Sequence, residues 1–426
     1  MSKKIEQFDV VVIGGGASGM MAAGRAAECG ARVLLLEKNK RLGEKLRITG
    51  DGRCNITNAE YDTHKFLDIF GSSRHFLFSS FSQFGVKDTF TFFESHGLPL
   101  VIQARLRVFP KTERAEDVAE AMVNYVKKSG VTIKYSAQVS KILSEKNTIT
   151  GVIAGGVEYK TSSIILSTGG ISHPETGSTG DGFRWLKDMG HTIKPSTPDV
   201  VPLSVADEWV KSLSGVDLSF MKITFFVNGK KSFSKTGKIL FTHFGLSGPL
   251  ILNSARLVRD LMQGGTVTAA IDAFPDTDLG SLEKQIITVF DANKNKDIKN
   301  LFKEIAPKGT SEAILPLIPG LAPDTKVHSI SKEVRKEIVR ILKALPVTIT
   351  GLMGFDRAVV SDGGVIMEEI DTRTMESKLY KGLYVTGDLL HINRQSGGYS
   401  LQLCWTTGFV AGEHAYKSKQ GDVLTK

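Results

Sequence analysis

The chain has little cysteine: three residues in 426, namely Cys29, Cys54 and Cys404. None forms a C-x-x-C pair, which excludes a dithiol relay and a zinc knuckle. Cys29 and Cys404 read as small core residues. The nine histidines lack metal-ligand spacing, so no metal site is expected. No apolar run approaches the roughly 20 residues of a membrane span. Lys3 and Lys4 precede an apolar stretch, but Glu6 and Asp9 break the pattern of a signal peptide, and a cytoplasmic location is expected. There is no internal repeat and no low-complexity tract. The net charge of +9 is spread along the chain in short runs such as Lys38-Asn39-Lys40-Arg41. It reads as a solvated basic surface around an anionic ligand rather than a nucleic-acid interface.

What is present begins with one dinucleotide-binding unit, Asp9 to Glu37. Val10 to Ile13 is an unbroken apolar run, as in a strand buried on both faces of a parallel sheet. Gly14-Gly15-Gly16-Ala17-Ser18-Gly19 fits G-x-G-x-x-G, and a helix of small residues follows. A second apolar run, Val33 to Leu36, ends at Glu37. Gly14 permits the tight turn, Gly16 lets backbone reach a pyrophosphate, and Gly19 lets the helix lie close on the sheet. The helix N-terminus, with Ala17 and Ser18, offers N–H groups to phosphate. Glu37 stands where a carboxylate would accept from a ribose hydroxyl, about 20 residues on.

The chain is long enough for two or three domains. Residues 62–97 are aromatic-rich and predicted helical, as is the amphipathic Arg114 to Lys128. The segment from Gly43 to Asn58 is too irregular for helix or strand. Val139 to Leu143, Thr148 to Ile153 and Val157 to Tyr159 read as a three-stranded meander. Ser163 to Ser167 is a buried strand running into Thr168-Gly169-Gly170. From about Pro195 the pattern changes to short strands around an Asn228-Gly229 turn, then to a Lys/Glu-rich helical stretch divided by prolines. The strand-and-glycine style returns at Val347. The expected architecture is therefore α/β, with a discontinuous Rossmann-like domain. Its parts are 1–194 and 347–426. Between them lies an insert, 195–346, made of a β-barrel (about 195–275, with strands near 325–346) and a small helical subdomain (about 277–342).

Three features favour FAD over a nicotinamide as the resident nucleotide. The chain carries a single glycine fingerprint. Strand Leu383 to Thr386 runs into Gly387-Asp388, where an acid can accept from ribityl hydroxyls. Gly397-Gly398-Tyr399-Ser400 opens the last helix, whose N–H groups would stabilise negative charge on a reduced flavin.

The residues also carry a family resemblance. Val12 to Gly19, Ile48 to Asn58, Thr176 to Gly182, Leu240 to Pro249, Thr374 to Lys378 and Gly397 to Gln402 together resemble the aminoacetone oxidase-like family of FAD-binding proteins, which includes the 3-dehydro-bile-acid reductase type. The resemblance implies a glutathione-reductase-type FAD domain interrupted by a barrel bearing a helical subdomain. It implies that Arg53, Cys54 and Asn55 lie beside the flavin and that Gly398 to Gln402 faces its pyrimidine end. The full cofactor-contacting set expected is Gly14, Gly16, Ala17, Ser18, Gly19, Glu37, Lys38, Lys45, Gly52, Arg53, Cys54, Asn55, Val139, Thr168, Gly169, Gly387, Asp388, Gly398, Tyr399 and Leu401. Asp51, His391 and Ser400 depart from the family pattern.

The chemistry expected is hydride transfer at flavin N5 to or from a small molecule. It is either amine oxidation or NAD(P)H-dependent reduction of a conjugated C=C bond, with NAD(P)H as a transient donor. His391 and Tyr399 are the candidate proton-exchanging residues. His243 and Ser247 belong to the insert motif. An RNA-modifying flavoenzyme and a non-catalytic flavin-binding protein are the alternatives. Substrate and oligomeric state stay open.

Overall fold

The computed structural model describes residues 5–424. The chain divides into two compact units, residues 1–198 with 359–426, and residues 199–358.

The first unit is built on a seven-stranded sheet. Its strand order is Ile370–Asp371, Glu376–Ser377, Leu383–Val385, Ser163–Leu166, Val10–Ile13, Val33–Leu36, Thr132–Lys134. The last five are mutually parallel. Val10–Ile13, Val33–Leu36 and Ile164–Leu166 are buried on both faces, which explains why they read as continuous apolar runs. Each fully buried aliphatic side chain there contributes about 1.5–3 kcal/mol. The meander forms as expected, over Val139–Glu145, Thr148–Ala154 and Val157–Lys160, and Ile5–Gln7 adds to its edge in parallel.

Helix α1, Ala17–Glu28, lies on this sheet beside helix α2, Tyr399–Leu424. Glycines make the approach possible. A Cβ on Gly408 would stand 2.4 Å from the Ser18 carbonyl oxygen, and one on Gly412 would stand 2.5 Å from that of Ala22. The pairs advance together along both helices, so the helices are parallel and their N-termini open at the same end. Arg25 clamps them further, its Nη2 lying 2.8 Å from Glu413 Oε2.

In the second unit six strands close into a ring, in the order Leu203–Val205, Gly245–Ser247, Lys230–Thr242, Asp217–Val227, Val267–Asp272, Leu345–Leu352. The two central strands are longer than the sequence predicts. Asn228 and Gly229 both take positive φ (49° and 75°), the geometry of a two-residue hairpin turn.

Two boundaries need correction. The stretch 325–343 is not strand: Val327–Ser329 is a 3-10 turn and Lys332–Lys343 a helix capped by Ser331. Leu345–Leu352 then completes the ring, so the chain returns to the first unit at Val359 rather than Val347. Alternating burial within a barrel strand resembles the edge of an α/β sheet when only sequence is seen. The segment after Gly43 also holds more structure than expected, a short helix Glu44–Ile48 and a strand Thr57–Asn58.

Among the described residues, no helix is long and apolar enough to cross a membrane.

Candidate functional site

The glycine fingerprint turns as its residues require. Gly14 has φ +101°, and a Cβ there would meet the Ser167 carbonyl oxygen at 2.6 Å. A Cβ on Gly19 would sit 1.9 Å from the Gly14 oxygen, so α1 rests directly on the turn. Gly16 differs: nothing lies within 4 Å of where its Cβ would be. Gly16 caps α1 without a side-chain hydrogen bond, leaving the first N–H groups of the helix free to meet an anion.

That open side faces a cavity within the first unit. From the expected set, Gly14, Gly16, Ala17, Ser18, Glu37, Lys38, Lys45, Val139, Thr168, Gly169, Asp388 and Leu401 line it. They come from the segments after four of the parallel strands, from the short helix Glu44–Ile48, from the start of the meander at Val139 and from the start of α2.

Glu37 is held by backbone. Its carboxylate accepts from the Gly15 N–H at 2.7 Å and from the Asn39 N–H at 2.7 Å. Burial pushes its carboxyl above the ordinary range, and these N–H groups partly offset the effect. Lys38 is committed elsewhere, with Nζ 2.7 Å from Thr179 Oγ1 and 3.0 Å from Asp181 Oδ2. The Lys45 ammonium donates to Ser172 Oγ at 3.2 Å, its only side-chain hydrogen bond among the described residues. Burial lowers the Lys45 ammonium below its usual range, while the Asp388 charge opposes that. The Thr168 hydroxyl is buried at the wall with no partner in the protein.

Asp388 is ion-paired to Arg394, whose side chain is 1% exposed. Arg394 also donates to the Ile392 oxygen at 2.8 Å and to Ser400 Oγ at 2.9 Å. Arg394 was not among the expected residues. Nor were Gly43, Gln138, Thr176, Gly177, Ser178, Trp185, Ser400 and Cys404, which also line the cavity. Thr176 to Ser178 could have been found, since they belong to a segment that carries the family resemblance. Cys404 is a wall residue rather than core, with its thiol pushed up to about 12 by burial.

The remaining expected residues do not line the cavity. Gly19 and Gly387 support it from behind: a Cβ on Gly387 would stand 3.0 Å from Ser18 Oγ. Gly398 packs on the Thr57 backbone, and Gly52 is exposed in a turn. Arg53 is drawn away by Phe109, Gln103 and Glu113. The Asn55 side chain accepts from the Val108 N–H at 3.2 Å. Cys54 is fully buried and its thiol is pushed upward by burial alone, which disposes of a reactive thiolate. Tyr399 packs in an aromatic cluster, its ring centre 5.0 Å from that of Phe66 in a tilted contact and 6.3 Å from that of Phe70 edge-on. His391 lies with Nδ1 3.4 Å from Asp362 Oδ1, off the cavity wall. In the second unit, His243 packs edge-on against Phe244. Among the described residues, no cluster of three or more metal-binding side chains occurs.

The cavity suits a dinucleotide. It combines an uncapped helix N-terminus, a glycine with no Cβ in the way, a lysine without a carboxylate in ion-pair contact, and an unpartnered hydroxyl.

Comparison with known proteins agrees with that chemistry. The family model described as "HI0933-like protein Rossmann domain" matches residues 8–414. The 3-dehydro-bile acid delta(4,6)-reductase of Clostridium scindens is 30% identical over 408 residues, covering 95% of this chain and 98% of the relative. The ribosomal RNA dihydrouridine synthase of Escherichia coli is 26% identical over 415 residues, covering 97% and 100%. Among solved structures, the 3-ketosteroid-delta4-(5alpha)-dehydrogenase of Rhodococcus jostii superposes with a TM-score of 0.51 at 15% identity, over 96% of this chain and 97% of that one. Its likeness concerns the fold alone. The chain belongs to the HI0933-like family of FAD-binding Rossmann proteins, a family of FAD-dependent oxidoreductases.

Proposed function

We propose that this protein is an FAD-dependent reductase that adds hydrogen across a C=C bond conjugated to a carbonyl, with NADH or NADPH as electron donor. The observation that carries the cofactor reading is the open face of Gly16 at the uncapped start of α1. We assign the pyrophosphate of FAD to those N–H groups and to Lys45, and a ribose hydroxyl to Glu37. Asp388, oriented by Arg394, would hold the ribityl chain, and the start of α2 would face the pyrimidine end. Bound FAD would supply two-electron transfer at its N5 atom. The protein's own contribution is to fix the cofactor, exclude water and orient the substrate. We further take the first unit as a glutathione-reductase-type domain, with the ring of strands and its helices as an insert.

The names of two full-length relatives favour reduction over amine oxidation. A delta(4,6)-reductase and a dihydrouridine synthase both saturate ring double bonds. Anaerobic mixing with NADH or NADPH tests this. Bleaching near 450 nm, reversed by a cyclic enone, supports the reading. A protein that holds FAD but bleaches with neither nucleotide, and does so with a primary amine, would overturn it in favour of an oxidase.

An RNA substrate is a second reading, favoured by the net charge of +9 and by the dihydrouridine synthase relative. Binding of an rRNA fragment at low salt that weakens steeply with added salt would support it.

A further inference from the structure

Strands Leu100–Gln103 and Arg107–Pro110 form a hairpin beside Thr57–Asn58. Its tip places Arg105 and Leu106 in succession at φ +63° and +57°. Left-handed backbone costs a non-glycine residue about 1–2 kcal/mol, so something must hold this tip. Asn58 does: its amide donates to the Arg105 carbonyl at 3.1 Å and, at 3.4 Å, to that of Gly397. The tip is therefore tied to the loop that opens α2, and Ser400 and Leu401 of that helix line the cavity.

Arg53 and Arg107 meet over one ring of this hairpin, whose tip carries Arg105. The guanidinium of Arg53 lies 4.4 Å from the Phe109 ring centre and that of Arg107 lies 5.7 Å from the same centre. Arg105 stands close enough, with Arg53, to hold Arg107 below its ordinary range, after the larger effect of burial. Among the described residues, Arg53 alone of the three has an ion-pair partner, Glu113 at 2.7 Å. Among the described residues, Arg107 donates only to the Ala104 carbonyl at 3.2 Å, and the Arg105 side chain has no partner. Like charges gathered around a single carboxylate still repel, whereas an oxyanion would take the forked donors of Arg105 and Arg107.

We propose that Arg105 and Arg107, with Arg53, form an oxyanion-binding site that holds the charged group of a small molecule reacting at the adjoining cavity. The choice of a small molecule rests on the reductase reading. The oxyanion is either the extra phosphate of the nicotinamide donor or a carboxylate on the substrate. Arg53 is partly neutralised by Glu113 and acts as the weaker third donor.

The test uses the FAD-loaded full chain at low salt, titrated calorimetrically with two pairs of probes. NADP⁺ against NAD⁺ reads the phosphate; decanoate against methyl decanoate reads the carboxylate. One pair is expected to show at least roughly tenfold preference for the more anionic member, the size of one charge-assisted hydrogen bond. R105Q and R107Q should each remove most of it, and E113Q, which frees Arg53, should strengthen it. Flavin absorbance in the same samples reports folding and cofactor retention. Loss of FAD would therefore point to failure of the cofactor reading, and intact FAD without anion preference to failure of this one. The proposal is overturned if neither pair shows a preference, if the preference survives both arginine variants, or if the arginines matter only for an rRNA fragment.

Discussion

Glu37 accepts the Gly15 N–H at 2.7 Å, so the acid at the end of the second strand braces the glycine turn after the first. The carboxylate is structural before any ribose arrives. Its pKa is raised, burial being the main cause. A raised carboxyl means that the folded state binds the proton more tightly than the unfolded chain does. Its contribution to stability is therefore full below the ordinary carboxylate value and declines as pH rises through the folded value. Subtracting the stability of E37Q from wild type, across a pH series of urea melts of the cofactor-free protein, should expose a declining step just above that ordinary value. An amide can accept only one of the two N–H groups well, so E37Q should also lose about 1–3 kcal/mol. A flat difference across pH would dismiss the assignment.

Two glycines four residues or fewer apart should respond in opposite ways. Gly16 has open space where a Cβ would point, while Gly19 would drive one into the Gly14 oxygen. G16V should leave the melting temperature of the cofactor-free protein nearly unchanged and weaken FAD binding by tenfold or more. G19A should cost about 1–3 kcal/mol of stability through overpacking. Thermal melts and FAD titration of both variants decide it; a destabilised G16V with normal FAD affinity would contradict the cavity assignment.

Much of this was legible from residue order alone. Val10 to Ile13 could only be a doubly buried strand, and a glycine turn leading into small residues could only lie close to its sheet. The cavity's far wall was less accessible. Arg394 matters because folding sets it against Asp388, and no local pattern announces an ion pair. Tyr399 sits one residue after a glycine pair and invited a catalytic role; its ring is spent on Phe66 and Phe70. The direction of the Arg53 side chain was hidden for a similar reason, since Phe109 and Glu113, both distant in sequence, hold its guanidinium. Backbone patterns reveal what a segment becomes, but side-chain direction depends on neighbours distant in sequence.

The Asp388–Arg394 pair should behave as a buried ion pair. Removing one partner strands the other charge, which typically costs 3–5 kcal/mol. R394Q should fall in that range by urea unfolding. The double variant D388N/R394Q should recover part of the loss, because neither charge is then stranded. Recovery of stability without recovery of FAD affinity would separate the structural role of Arg394 from the cofactor role given to Asp388. Equal losses in single and double variants would mean that the two residues are not coupled.

Lys45 offers a case where stability and binding should part. Its ammonium is drawn toward the cavity with a single hydroxyl partner, and burial lowers its pKa. A lowered lysine pKa means the folded state holds the proton less tightly than the unfolded chain. The penalty it imposes is full below the lowered value and shrinks as pH rises through it toward the ordinary lysine value. K45M keeps most of the length of the side chain and removes the charge. The cofactor-free variant should be at least as stable as wild type near pH 7, and that advantage should fade toward pH 10. FAD affinity should nevertheless drop by about tenfold, the worth of one charge-assisted hydrogen bond to phosphate. Differential scanning fluorimetry gives the first quantity and fluorescence recovery of released flavin the second. A variant that loses stability and keeps its FAD would show that Lys45 is a packing residue of the wall.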